Sequence, residues 1–134
     1  MSGRLATLER LRLVGAVEEA AAVVAQASAA LVAWDERVQS TRAAAADATE
    51  ASAFEGALEA GVASVAELAD GRARRAATAA SLDQDASEAE SSRTGAMARH
   101  RAAVAALGLA ERMLARHDRV VKLRESVEGS GEPI

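Results

Sequence analysis

Residues 13–38 of the chain read LVGAVEEAAAVVAQASAALVAWDERV. Apolar residues recur in this stretch at alternating steps of four and three, namely at Leu13, Val17, Ala20, Val24, Ala27, Leu31, Trp34 and Val38. That spacing places the side chains along one narrow side of a helix and is typical of a coiled-coil seam. The stretch therefore predicts a long helix that packs against a second helix along this seam.

The composition of the whole chain favours thin helices over a thick globular core. Hydrophobic residues make up 50% of the 134 residues, but many of them are alanine, and aromatic residues account for only 1%. Alanine is the best helix former, and its methyl group buries little apolar area. The predicted fold class is all-α, a long antiparallel two-helix coiled-coil hairpin.

A second, weaker apolar periodicity is present in the last third of the chain. Its members are Met97, Val104, Leu107, Leu114 and Val121, supported by Met113, Val120 and Leu123. We expect these residues to form the matching seam of the second helix.

The element boundaries follow from where large apolar residues stop and cap-type residues begin. We expect a single helical hairpin over residues 1–128, with helix one at about 3–45, a turn at about 46–52 and helix two at about 53–127. A rival turn lies at residues 69–71, where the sequence is Ala-Asp-Gly. Because glycines and a proline follow residue 128, we expect residues 129–134 to form a disordered tail.

The chain lacks the residue patterns that enzymes and metal sites need. Its only histidines, His100 and His117, are seventeen residues apart, too far along a helix to share a metal ion. It has no cysteine and no glycine-rich phosphate loop. We therefore expect no catalysis, no metal and no cofactor.

Charge and hydropathy set expectations for partners and location. The net charge is −4, which argues against nucleic acid as a partner. We find no uninterrupted apolar run near the roughly 18 residues that a membrane span needs, and no secretory signal in the N-terminal MSGRLATLERLRL. We therefore expect a cytoplasmic chain.

Residues 53–68, AFEGALEAGVASVAEL, hold the single phenylalanine of the chain. Phe54, Leu58, Gly61 and Val65 follow at steps of four, three and four, so a helix would carry them on one side. This side of helix two, just past the predicted turn, is either part of the hairpin core or a surface for another protein.

Basic residues are concentrated near the C-terminus. Arg112, Arg116 and Arg119 share one helix face by their spacing. The face is either a solvated surface or a docking strip for an acidic groove of another protein.

With these residues the chain resembles the FliJ family, the small coiled-coil proteins of the bacterial flagellar type III export apparatus. Leu5-Ala6-Thr7-Leu8 resembles the start of the long first helix of the family. The segment Phe54-x-x-x-Leu58-Glu59-x-Gly61-x-x-x-Val65 is similar to the Phe-x-x-x-Leu-x-x-Ala-x-x-x-His surface of the family. Residues 109–125 resemble its basic final helix. Gly61 and Val65 depart from the family pattern, whereas Phe54 and Leu58 match it in identity.

The resemblance implies a non-catalytic stalk with two partners. The paired helix ends would dock in a hexameric flagellar export ATPase, and the Phe/Leu surface would bind the cytoplasmic domain of the export gate protein, with export chaperones as further candidates. The implied gate contacts are Phe54, Leu58, Gly61 and Val65. The implied ATPase contacts are Leu5, Leu8, Arg112, Arg116 and Arg119. The implied location is the cytoplasm, peripheral at the inner membrane through the export apparatus.

Other classes of protein remain open at this point. One is the equivalent stalk of a virulence-type secretion system. Another is a generic cytoplasmic coiled coil or a phasin-like protein of a lipid or polymer surface, which would need a wider apolar face. A third is a secreted hairpin of the WXG type, although Trp34 is followed by Asp35 and Glu36 and not by glycine.

Overall fold

The computed structural model describes residues 2–61 and 64–130. This part of the chain forms two α-helices, α1 over Ser2–Glu59 and α2 over Val65–Ser130, and it contains no strand. The two helices pack against each other. The predicted all-α helical hairpin is confirmed.

Contacts between the helices divide the chain into two compact units. The terminal unit combines Met1–Ala29 with Ala98–Ile134, and the turn unit is Ala30–Met97. Each unit therefore pairs a part of α1 with a part of α2.

Burial along α1 confirms the heptad seam predicted from residues 13–38. In the terminal unit Leu13 is buried, and Val17, Ala20, Val24 and Ala27 are half-buried. In the turn unit Leu31 and Trp34 are half-buried, and Val38 and Thr41 are buried. Residues at other positions of the same helix turns, such as Glu18 and Val32, are exposed. Because the less exposed positions keep the steps of three and four, α1 contacts α2 along one line.

The seam of α2 is built on small residues more than the sequence suggested. Its buried hydrophobic residues are Ala89 and Ala96 in the turn unit and Ala103 in the terminal unit, at intervals of seven. Of the larger residues predicted for this seam, Met97, Leu107, Leu114 and Val121 are half-buried, whereas Val104, Met113, Val120 and Leu123 are exposed. Alanine permits close approach of two helices but buries little area, so each layer contributes little free energy.

Ion pairs show that the helices of the turn unit run antiparallel. As the partner in α1 advances along the chain, the partner in α2 recedes: Asp35 pairs with Arg93, Arg42 with Glu90, and Glu59 with Arg75. The side chains of the first two pairs are 43–63% exposed and accessible to solvent, so each pair is worth at most about 1 kcal/mol. They report the direction of the helices more than they stabilise them.

The turn lies between the two positions considered in the sequence. Residues 46–52 and residues 69–71 are both helical, and α1 ends at Glu59 while α2 begins at Val65. At its end α1 keeps a hydrogen bond from Ala60 N to Gly56 O at 3.1 Å. At the start of α2 the Ser64 hydroxyl accepts a hydrogen bond from Glu67 N at 3.2 Å. Ser64 is thus the N-cap of α2, in a Ser-x-x-Glu pattern that marks helix starts.

The predicted turn at 46–52 is wrong because cap-type residues are also tolerated inside a helix. The hydroxyl of Thr49 donates to the carbonyl oxygen of Ala45, four residues earlier, at 2.9 Å. With that bond made inside the helix, and alanines on either side, nothing in this stretch ends α1. The predicted helices at 3–45 and 53–127 are therefore replaced by Ser2–Glu59 and Val65–Ser130. Of the predicted tail at 129–134, Gly129 and Ser130 belong to α2, and residues 131–134 lie outside the described residues.

One property of α1 corrects the expectation about membrane spans. The helix contains an 18-residue window with a mean hydropathy of 1.4, which is long and apolar enough to cross a membrane by length and composition. None of that window is buried. Alanine produces the high value, because hydropathy scales count it as apolar although its side chain is a single methyl group. The same test is passed by helices of soluble proteins and by signal sequences.

Candidate interaction surfaces

Two of the predicted gate contacts are exposed apolar side chains in the last turns of α1. Phe54 is 67% exposed and Leu58 is 58% exposed. Their separation by four residues places both on one side of the helix. Large apolar side chains grouped at a surface can mark a contact site for another protein. The two residues therefore form a small apolar surface beside the turn.

The other two predicted gate contacts do not continue that helix face. Gly61 lies in the turn, and Val65 is the first residue of α2, where it is 85% exposed. The prediction that one helix carries all four residues is wrong, because Gly61 and Ser64 interrupt the helix between Leu58 and Val65. The four residues nevertheless belong to the same unit, and all are exposed.

A partly buried ion pair joins α1 to α2 close to this turn. Arg75 Nη1 donates to Glu59 Oε2 at 2.7 Å, and the exposed fractions of the two side chains are 14% and 31%. Gly71 is buried beside the pair, where a Cβ atom would approach Glu59 Oε2 to 2.6 Å. An open cleft of about 510 Å³ adjoins the pair and is lined by residues of both helices. The pair ties the last residue of α1 to the third turn of α2.

The predicted ATPase contacts lie in the terminal unit. Leu5 is 69% exposed and Leu8 is 57% exposed on the first turns of α1. Arg112, Arg116 and Arg119 are exposed on α2. Within this unit the helices are joined by polar contacts. Arg10 Nε donates to Asp118 Oδ1 at 3.1 Å, and His117 Nε2 lies 3.2 Å from Ala6 O.

One carboxylate of the terminal unit has a perturbed titration. Arg12 donates hydrogen bonds to Glu9, the shorter at 2.6 Å. These bonds lower the pKa of Glu9 below its ordinary value of 4.5. Desolvation opposes the shift in part, and the charges of Arg12 and His117 assist it. The same pairing raises the pKa of Arg12. Both groups lie at the surface, so the pair is a local feature of α1.

Sequence reasoning missed a second apolar line on α2. Its members are Leu109, Met113, Arg116, Val120 and Leu123, and we refer to them as the outer stripe. They follow at steps of four, three, four and three, and all five are exposed. Met113, Val120 and Leu123 were predicted as supporting members of the seam of α2, whereas that seam runs through Leu107, Leu114 and Val121. The two lines differ in heptad position, but their equal spacing does not show which of them α1 covers.

Among residues 2–61 and 64–130, no group of three or more His, Cys, Asp or Glu side chains is placed to hold a metal ion. The two histidines are half-buried on the side of α2 that faces α1. The features of this chain that offer chemistry to a partner are therefore its exposed apolar and basic surfaces.

Comparisons of the chain with protein-family models, with curated proteins and with solved structures find no match. What the structure defines is the class: a two-helix hairpin with exposed apolar residues beside its turn and a basic, partly apolar face on its C-terminal helix. A function for this class must be argued from those surfaces.

Proposed function

We propose that the chain is a FliJ-like, non-catalytic stalk of the flagellar type III protein export apparatus. In this function it docks in the hexameric export ATPase and links that ATPase to the export gate in the cytoplasm at the inner membrane. The observation that carries the proposal is the exposure of Phe54 and Leu58 beside the turn. These are the two residues at which the chain matches the family surface in identity.

The gate contact is proposed for Phe54 and Leu58, with Gly61 and Val65 at its edge. Phenylalanine and leucine in an exposed position can insert into an apolar pocket of a partner, which is how a few residues come to dominate a binding energy. Gly61 and Val65 are exposed but belong to the turn and to α2. We therefore expect them to contribute less than the pair on α1.

The ATPase contact is proposed for the terminal unit. Leu5 and Leu8 offer exposed apolar side chains, and Arg112, Arg116 and Arg119 offer positive charge. None of these three arginines makes an ion pair with another residue in the part of the chain that the structure describes. Basic side chains without an internal partner are available for acidic groups of an ATPase ring. Export chaperones would be further partners of this surface.

Calorimetric titration tests the gate contact most directly. The chain is titrated into the cytoplasmic domain of the export gate from the same organism, beside a Phe54→Ala/Leu58→Ala double variant. A Val32→Ala variant is the matched control, because Val32 is equally exposed on the same helix and in the same unit, but away from the turn. We expect the parent and the control to bind, and the double variant to bind at least about tenfold more weakly, a loss of about 1.4 kcal/mol.

Absence of binding by the folded parent chain contradicts the proposal. Equal binding by the parent and the double variant keeps the stalk function but removes Phe54 and Leu58 from the contact. Binding to the gate of a virulence-type secretion system, and not to the flagellar gate, assigns the chain to that system.

A phasin-like surface protein is the second candidate, favoured by the apolar window of α1, none of which is buried. Such a protein would adsorb to a hydrophobic granule or lipid surface through that window. Co-sedimentation with polymer granules separates the two functions, because a stalk stays in the supernatant. Sedimentation of the parent with granules, together with no binding to the export gate, selects the phasin-like function.

A further inference from the structure

The outer stripe has the geometry of a coiled-coil seam. At 3.6 residues per turn, Leu109, Met113, Arg116, Val120 and Leu123 occupy about 80° of the circumference of α2. Their centre lies about 140° from that of Leu107, Leu114 and Val121, which face α1. A shallow groove of about 310 Å³ adjoins the stripe at Val120 and Leu123. The helix therefore carries two seams, of which α1 covers one.

Charge is segregated between the two seams of α2. Glu111, Asp118 and Glu125 repeat at intervals of seven on the side toward α1, and Asp118 pairs there with Arg10. Arginines border the outer stripe instead. They are Arg101, Arg112 and Arg119 at one edge and Arg124 at the other, with Arg116 inside the stripe.

These arginines are not neutralised within the chain. None of the five forms an ion pair with any residue in the described parts 2–61 and 64–130, and all are exposed. Glu111, Asp118 and Glu125 lie on the opposite side of the helix, whereas Glu128 lines the groove at Val120 and Leu123, next to Arg124. A partner of the outer stripe is therefore selected for negative charge, above all at the edge formed by Arg101, Arg112 and Arg119.

We propose that the outer stripe docks an amphipathic helix of another protein, with apolar residues at heptad spacing and acidic residues along its flanks. The apolar residues of that helix pack between Leu109, Met113, Val120 and Leu123. Its carboxylates pair with the bordering arginines, and one carboxylate meets Arg116 within the stripe. The inference deepens the proposed ATPase contact and rests on the proposed function only for the identity of the partner.

The same features disfavour a membrane and a second copy of the chain. A helix that lies on a membrane presents a wide apolar face, whereas this stripe is narrow and contains an arginine at its centre. Two copies joined symmetrically through the stripe would place the arginines of one against those of the other, which is repulsive. Heptad spacing combined with a predominantly basic border fits a helix of complementary charge.

Fluorescence anisotropy with a synthetic probe tests the inference. The probe is a fluorescein-labelled peptide of about four heptads, with leucine at positions a and d and glutamate at positions e and g. A peptide with lysine at e and g is the matched control. The full chain is compared with Arg112→Glu/Arg119→Glu and with Met113→Ser/Leu123→Ser. Val104→Ser and Arg72→Glu/Arg74→Glu are control variants, because those residues are exposed away from the stripe.

We expect the acidic peptide to bind the parent and both control variants alike, and both stripe variants at least about tenfold more weakly. The lysine peptide should bind the parent at least about tenfold more weakly than the acidic peptide. Because all substituted residues are exposed, we expect every variant to fold. Circular dichroism of each variant checks that the hairpin is folded.

Three results would overturn the inference. The first is no binding of the acidic peptide, and the second is binding that the stripe variants leave unchanged. The third is a stripe-dependent interaction with another occupant, seen as co-sedimentation with phosphatidylserine/phosphatidylcholine vesicles or as self-association in analytical ultracentrifugation, in place of peptide binding. Because the peptide contains no sequence of the export ATPase or gate, each of these results leaves the Phe54 contact to be decided by its own titration.

Discussion

Glu59, the last residue of α1, accepts a hydrogen bond from Arg75 in the third turn of α2 at 2.7 Å. Of the ion pairs described, this one is the most shielded from solvent. It exists because Gly71 leaves open the space that a Cβ atom would take from the carboxylate. The pair therefore couples the position of the turn to a glycine inside α2.

Replacement of glycine by alanine should have different effects at Gly71 and Gly15. Gly15→Ala adds helix propensity at a site with nothing within 4 Å, so the free energy of unfolding should rise by about 0.5–1 kcal/mol. Gly71→Ala adds the same propensity but displaces the Glu59–Arg75 pair. Its effect should be about 1 kcal/mol less favourable than that of Gly15→Ala. Urea denaturation followed by circular dichroism measures both.

A double-mutant cycle supplies the control for this prediction. In a Glu59→Ala background the carboxylate is absent, so Gly71→Ala should become as favourable as Gly15→Ala. If the difference between the two glycines persists there, the pair is not its cause.

Ser64 should stabilise the start of α2 through its hydroxyl group. Ser64→Ala removes the acceptor for Glu67 N and should lower the free energy of unfolding by about 1 kcal/mol, whereas Ser64→Gly should cost only a few tenths. Ser81→Ala is the control, because Ser81 is exposed inside α2 and alanine there is the better helix former. Thermal melts of the three variants rank them. Equal melting temperatures for Ser64→Ala and Ser81→Ala would show that Ser64 does not act as a cap.

Phe54 should be dispensable for folding although it is the largest apolar side chain near the turn. At 67% exposure it buries little area, so Phe54→Ala should change the free energy of unfolding by no more than about 0.5 kcal/mol. Val38→Ala, at a position 4% exposed in the same unit, should cost roughly 1.5 kcal/mol, at about 0.8 kcal/mol per buried carbon removed. Urea titration compares the two. A larger loss from Phe54→Ala than from Val38→Ala would mean that Phe54 is part of the core.

Glu9 should make a small contribution to stability that acid removes. The hydrogen bonds from Arg12 lower its pKa in the folded chain below 4.5. The stabilisation is therefore fully present above 4.5 and is lost as the pH falls through the lower, folded-state pKa. An NMR titration of the Glu9 carboxyl carbon measures that pKa directly. In an Arg12→Gln variant it should return toward 4.5, and an unchanged value would exclude Arg12 as the cause.

The seam of α1 could be predicted from the sequence because a heptad pattern is local. Every residue traced from Leu13 to Val38 is buried or half-buried. The turn could have been found as well, since Gly61 and the Ser64-x-x-Glu67 pattern are ordinary signals of a helix end and a helix start. The cap-type residues Asp47 and Thr49 instead led to the predicted turn at 46–52. Their preference for caps is weaker than the helix propensity of the surrounding alanines, so α1 continues through them.

The candidate surfaces were predicted only in part. The sequence singled out Phe54 and Leu58, and the structure places both at the surface. It could not separate the outer stripe from the seam of α2, because both lines have the same spacing and the larger apolar residues are divided between them. The burial of individual residues distinguishes the two lines: Ala96 and Ala103 are buried, whereas Val104 and Met113 are exposed.

The sequence by itself determined that this chain is helical, that α1 has a single apolar line, and that the line has coiled-coil spacing. These properties depend on residues within a few turns of one another. Only the tertiary structure decided which line of α2 is covered. That choice depends on how closely two backbones approach, and alanine allows the closer approach. Leu109, Met113, Val120 and Leu123 are left on the outer side of α2, where they can meet another protein.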